Sequence, residues 1–203
     1  MRIKYLLFIL IPFLIILFNF NFLVYDYDFY EENFDNGLNE SFVKENTLNL
    51  FEYFQGDTEL NDNFNEKEKL HLEDVKFLIN NFLLIFYILS LIFIGSLVYL
   101  LYKKDFKTIS FNFIAGGCLT LLLILILSLF DFSKLFLNLH LLIFTNNLWL
   151  LNPETDLLIN IFTEGFFLNF FKRIILNSSI ISSILILIGI LIDFIFFKKI
   201  TLK

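Results

Sequence analysis

Four stretches of this chain run apolar for about twenty residues or more: about Tyr5–Val24, Leu78–Tyr102, Ile109–Phe130 and Ile174–Phe197. Each is long enough to cross roughly 30 Å of hydrocarbon as a helix. Between them lie two mixed segments, Tyr25–Phe77 and Asp131–Arg173, where charged and amide side chains interrupt the apolar pattern. The pattern predicts a mainly α polytopic membrane protein: one membrane domain over residues 1–203, with four transmembrane helices and a small cap built from the two loops. Within the first loop, EENFDNGLNE reads as turn or irregular chain, and NTLNLFEYFQG as a short helix stopped at Gly56. HLEDVKFLINNFLL runs straight into the second span. Tyr25–Tyr30 sets aromatic beside polar residues in a strand-like way, so a few short strands are expected in the cap. Leu135–Leu151 and Leu157–Phe171 are apolar but broken by polar positions, and both read as segments lying along an interface.

Composition strengthens the membrane assignment, because 58% hydrophobic residues and a mean hydropathy of +0.75 over 203 residues exclude an ordinary soluble domain. The two loops together, about ninety residues, suffice for a cap but not for a large independent domain. Charge then sets orientation. Arg2, Lys4, Lys103, Lys104, Lys107, Lys198, Lys199 and Lys203 fall at the N-terminus, in the loop between the second and third spans, or at the C-terminus. By the positive-inside rule these three segments are cytoplasmic, and the two long loops are outside. The first loop is strongly acidic, from Asp26 and Asp28 through Glu66, Glu68, Glu73 and Asp74, as a solvated face would be. The first run follows Arg2 and Lys4 as a signal peptide would, yet no small-residue cleavage pattern follows it, so it reads as a retained helix. A fifth span over Leu135–Leu151 is disfavoured, since it would set Asn138, His140, Asn146 and Asn147 against lipid and move the C-terminal lysines outside. Trp149 suits the headgroup belt. No nucleic-acid partner is expected.

Several conspicuous features read as structural. The thirty phenylalanines, beside the single Ala115, are attributed to an AT-rich coding bias more than to ring packing. Cys118 is a lone thiol of the kind usually buried for packing, and Gly116 and Gly117 permit close helix approach inside hydrocarbon.

The chemistry concentrates on His71 and His140, the two histidines of the chain, which topology puts on the same outer side. An imidazole titrating near neutrality is the usual proton shuttle in acyl transfer, although a histidine at an interface is often only a polar anchor. Asp74 stands three residues after His71 on one helical face, where it could orient the imidazole or simply balance the dipole at the start of the second helix. Asp156 carries the same ambiguity at the next helix start. Arg173, the sole outer arginine, either grips an oxyanion or headgroup or marks the membrane boundary. Two other classes stay open. A metal-dependent membrane hydrolase could draw on His71, His140, Asp74 and Asp156, though no HExxH-type spacing is present, and a non-enzymatic assembly or interaction protein needs none of them.

HLEDVKFLI, followed by DFSKLFLNLHLLIFTNNLWLLNPETDLLINIFTEGFF, resembles the signature of the lipoprotein intramolecular transacylase (Lit) family of bacterial integral membrane proteins. NLFEYFQG with the downstream EKEKLHLEDV is similar to that family's first loop, and the likeness extends over most of the chain. The resemblance implies an acyl shift on a membrane lipoprotein: the sn-2 acyl chain of its S-diacylglyceryl cysteine moves to the α-amine, giving the lyso form. It also implies that His71 and His140 are the functional pair, that a diacylated lipoprotein and membrane lipid are the partners, and that no cofactor is needed. Thr163 stands where the family pattern has proline, and Leu139 and Leu141 beside His140 are more apolar than that pattern, which bears on substrate fit.

Overall fold

The computed structural model describes residues 6–34 and 37–197, and among them eight helices form and no strand. In order they are α1 (Leu6–Leu23), α2 (Tyr27–Glu32), α3 (Glu40–Gln55), α4 (Glu66–Tyr102), α5 (Phe106–Ser128), α6 (Phe132–Ile143), α7 (Leu157–Ile161) and α8 (Glu164–Phe197). Three of them, α4, α5 and α8, are long and apolar enough to cross a membrane. They contain the expected second, third and fourth spans apart from Leu129 and Phe130. The first expected span corresponds to α1, whose 18 residues are shorter; Tyr5 lies outside the described residues, as do the lysines from Lys198 onward. The chain divides into two compact units: one holds Phe82–Leu129 with the chain up to Asn21 and from Arg173 on, the other Phe22–Asn81 and Phe130–Lys172.

The first unit is packed through small residues, as expected where helices cannot be driven together by excluding water. A Cβ on Gly116 would lie 2.5 Å from Ile11 Cδ1, and one on Gly117 would lie 2.6 Å from Ile186 Cγ1 and 2.8 Å from the Ser182 carbonyl oxygen. On the other side of the α5–α8 contact, Gly189 faces Ile114, and Ser110 Oγ donates to the Gly189 carbonyl at 2.8 Å. The close approach expected of the glycine pair is thus realised against α1 and α8. Cys118, by contrast, is exposed on the outer face of α5, because the buried face of that turn is already filled by Gly116, Gly117 and Thr120. Asn19 is satisfied inside the unit by donating to Ile15 O and Ser178 Oγ. Since the Ser182 carbonyl cannot move aside as a side chain can, Gly117→Ala is expected to cost about 1–3 kcal/mol. Thermal unfolding of the purified protein in detergent checks this, and an unchanged midpoint would refute it.

The second unit departs from the sequence expectation at Tyr25–Tyr30. No strand forms there: Asp26 accepts the N–H of Phe29 and caps α2 instead. A helix sends the adjacent Phe29 and Tyr30 into one core, where a strand would have split them between two faces. Tyr30 meets Phe51 at 4.8 Å and 89° and Phe166 at 4.9 Å, while Phe29 meets Phe166 at 5.6 Å. These edge-on and tilted ring pairs hold the unit together, so the phenylalanines here are packing determinants and not merely a coding bias. The buried Tyr30 hydroxyl donates to Val24 O, and burial pushes its phenol well above the ordinary range. α3 stops as expected at Gly56, which takes the left-handed φ of +90° that a side chain would disfavour. It begins earlier than expected because Asn39 caps it, accepting from Ser41 N and Phe42 N.

Two boundaries also move. Leu157–Phe171 is not one interfacial segment: α7 ends at Ile161, and Thr163 then caps α8 by accepting the N–H of Phe166. α8 continues unbroken to Phe197, so Arg173 lies inside a helix and not ahead of one. Leu135–Leu151 is helical only in part, as α6, whose 12 residues reach about 18 Å and cannot span hydrocarbon.

Candidate active site

α4 begins with a reciprocal cap. Asn65 Oδ1 accepts the Glu68 N–H at 3.1 Å, and Glu68 Oε2 accepts the Asn65 N–H at 2.8 Å. One turn further, His71 is 6% exposed, and its Nδ1 is buried with no hydrogen-bond partner in the structure. The expected apolar span starts only at Leu78, so this turn lies ahead of it. Burial lowers the His71 pKa from 6.5 to about 4, helped by His140 and Lys67 and opposed by Asp74. His71 is therefore a neutral imidazole throughout the physiological range.

α6 supplies the second ring. Asp131 caps it by accepting the Lys134 N–H at 3.0 Å, and its last turn carries His140, half-buried. His140 Nδ1 lies 2.8 Å from the Phe136 carbonyl oxygen one turn back. A carbonyl can only accept, so Nδ1 carries the hydrogen and the neutral ring keeps its lone pair on Nε2. The ring centroids of His71 and His140 are 6.5 Å apart. Phe144, in extended backbone just past α6, stands 5.2 Å from His71 and 5.6 Å from His140. Phe136 at 4.4 Å and Trp149 at 5.2 Å complete the aromatic surround of His140.

The remaining candidates separate. Asp74 sits two turns into α4, so the alternative reading of it as a helix-start residue does not hold; Asn65 and Glu68 have that role. Its carboxylate is close enough to raise the His71 pKa, and it accepts the Asn146 Nδ2–H at 2.8 Å. Asp156 occupies the cap position of α7 but makes no capping bond. Its oxygens accept instead from Asn152 N at 2.7 Å, Asn65 Nδ2 at 3.0 Å and Thr155 Oγ1 at 2.8 Å, tying the NPETD turn to α4. The Asn152 N–H is the main reason its carboxyl is held below the ordinary value. Arg173 is exposed on α8 and belongs to the other compact unit.

Sequence reading missed Glu68, Phe144 and Asn146. Glu68 is 1% exposed, and besides closing the cap it accepts the Leu158 N–H at 2.6 Å, doing for α7 what Asp156 does not. The Asn65-x-x-Glu68 spacing is the signal that could have revealed it. Glu68→Gln keeps one acceptor of two and should cost about 1–3 kcal/mol, the scale of one unsatisfied buried donor. Chemical unfolding checks this, and an unchanged midpoint would show that the bond to Leu158 carries no weight. No group of three or more His, Cys, Asp or Glu able to hold a metal ion occurs among the described residues. The site offers two imidazoles, His71 held neutral by burial and His140 with its Nδ1–H directed to a carbonyl, in a ring-lined setting suited to moving a proton beside an apolar substrate.

The family model described as lipoprotein intramolecular transacylase Lit matches residues 1–167. Among solved structures, the membrane integral lipoprotein intramolecular transacylase Lit from Bacillus cereus matches with a TM-score of 0.85 at 24% identity, over 99% of this chain and 97% of that one. Two variants of the same protein, with a histidine replaced by alanine or by arginine, match with TM-scores of 0.79 and 0.76 at 22% identity. These cover 99% and 98% of this chain and 94% and 95% of theirs. At such identities the structural likeness speaks for the fold. No curated protein matches the chain.

Proposed function

The chain belongs to the lipoprotein intramolecular transacylase family, and on that premise we propose that it moves the sn-2 acyl chain of a lipoprotein's S-diacylglyceryl cysteine to the α-amine of that cysteine. It is an acyltransferase of the membrane, and its helices α4, α5 and α8 suit that setting. The observation that carries the finer reading is the meeting of His71 and His140, 6.5 Å apart, in one aromatic setting.

An amine attacking an ester within the same molecule needs no protein nucleophile, only placement, a base and a partner for the oxyanion. His140 suits the base, because its Nδ1–H is committed to Phe136 and its Nε2 lone pair can take the proton as nitrogen bonds to the acyl carbon. His71, neutral and with an unpartnered Nδ1, suits the second role of supporting the tetrahedral oxyanion, and the proton that His140 took from the amine passes to the sn-2 oxygen as the carbon–oxygen bond breaks. The sn-2 oxygen leaves as a hydroxyl, and the products are an amide and a monoacylglyceryl thioether. Arg173, exposed on α8, is kept in this scheme as a supporting cation for an oxyanion or a lipid headgroup.

The same reading takes α1 as a fourth span, both termini as cytoplasmic, and residues 25–77 and 131–173 as an extracytoplasmic cap with the site at the outer leaflet, where a lipoprotein is anchored. The charge distribution along the chain supports that orientation. The test is expression in a bacterium that makes only diacylated lipoproteins, with fragmentation of one lipoprotein's N-terminal peptide by mass spectrometry. N-acyl S-monoacylglyceryl cysteine is expected, and a well-expressed protein that leaves the diacylglyceryl form unchanged would overturn the reading in favour of a non-enzymatic role.

A further inference from the structure

The two imidazoles stand on separate helices, and the chain after α6 brings them together. That segment carries Phe144, which touches both rings, and Trp149, which touches His140. It has no regular structure to fix it; Leu150 N–H bonds to the Asn147 carbonyl and Lys67 Nζ of α4 donates to the Leu150 carbonyl, and within the segment Asn146 gathers three further bonds. Asn146 Oδ1 accepts the Leu148 N–H at 3.0 Å, closing the turn, and the Asn146 carbonyl accepts the Trp149 Nε1–H at 2.9 Å. Asn146 Nδ2 reaches across to Asp74 Oδ2 at 2.8 Å, one turn along α4 from His71. We propose that Asp74 and Asn146 form a positioning strut, which locks the segment from Phe144 to Trp149 onto α4 and so sets the separation of His71 and His140.

In this role Asp74 acts as a hydrogen-bond acceptor and not through its charge on the imidazole. The proposal rests on the acyl-transfer reading for its kinetic arm only. A displacement of about 1 Å at a reacting pair costs on the order of a hundredfold in rate, so the strut should matter although neither residue touches substrate.

Trp149 is the single tryptophan of the chain, and its emission therefore reports the position of this segment directly. The full-length protein and the variants Asn146→Ala, Asp74→Ala, Asp74→Asn and the double alanine variant are compared for lyso-form production and for Trp149 emission and acrylamide quenching in detergent. Asn146→Ala and Asp74→Ala are each expected to lose on the order of ten- to a hundredfold in rate, with red-shifted and more quenchable emission. The double variant should be no worse than either single one, as for two residues of one contact. Asp74→Asn keeps an acceptor for Asn146 and should retain wild-type emission and most of the rate. Two results overturn the proposal: wild-type rate and emission in Asn146→Ala, or an Asp74→Asn variant as inactive as Asp74→Ala with unaltered emission, which would assign Asp74 a direct charge effect on His71. A wild type that forms no lyso product defeats the function reading instead, and the emission of the variants still decides whether the strut holds Trp149.

Discussion

His140→Ala is expected to lower lyso-form production by on the order of a hundred- to ten-thousandfold, the range that a positioned general base contributes. The ring aims Nε2 as its acceptor nitrogen because Nδ1–H is spent on the Phe136 carbonyl. The side chains of Phe136, Phe144 and Trp149 around it are apolar or donor-only, so none of them can serve as a base once the ring is gone. His71→Ala should fall in the same range, and the double variant should lose little more than either single one, since the two rings serve one proton transfer. Mass-spectrometric quantification of the lipoprotein N-terminus measures the loss. Near-wild-type turnover in His140→Ala would remove it from the chemistry, even if His71→Ala were inactive.

The extent to which the sequence revealed this site follows from what periodicity can express. α4, α5 and α8 were visible because long apolar runs admit little else. His71 and His140 stood out through scarcity, as the two imidazoles of a chain with thirty phenylalanines. What joins them was not visible, because Phe144–Trp149 is irregular and its geometry rests on the side chain of Asn146, which in sequence counted only as a reason not to bury the segment. The aromatic residues of Tyr25–Tyr30 suggested strands since they were weighed without their partners Phe51, Phe162 and Phe166, all distant in sequence. Asp156 was placed correctly at a helix start, yet its oxygens face backward to Asn152, Thr155 and Asn65, a choice that depends on Glu68 having taken the Leu158 N–H.

Stability should fall by roughly 3 kcal/mol as pH drops from about 6.5 to about 4, and His71 is the cause. In the unfolded chain the ring takes up a proton as pH passes 6.5, whereas the native ring, desolvated and beside His140 and Lys67 with only Asp74 to favour its charge, resists until about 4. Between these values the unfolded state binds more protons, so stability rises with pH across the window and is lost on acidification. At 1.36 kcal/mol for each pKa unit, the gap between 6.5 and about 4 gives that magnitude. Asp156 also loses native stabilisation in acid, but its carboxyl is held below its ordinary 3.8, so its contribution is withdrawn at lower pH than that of His71. His71→Leu separates the two: unfolding in detergent should become nearly independent of pH between about 6.5 and 4.5 relative to wild type, while the steeper loss below remains. An equal loss in both proteins across the upper window would assign it to other groups and remove the basis for treating His71 as a neutral ring at neutral pH. The same burial that makes the fold sensitive to acid keeps the imidazole uncharged, which is the form the proposed acyl shift requires of it.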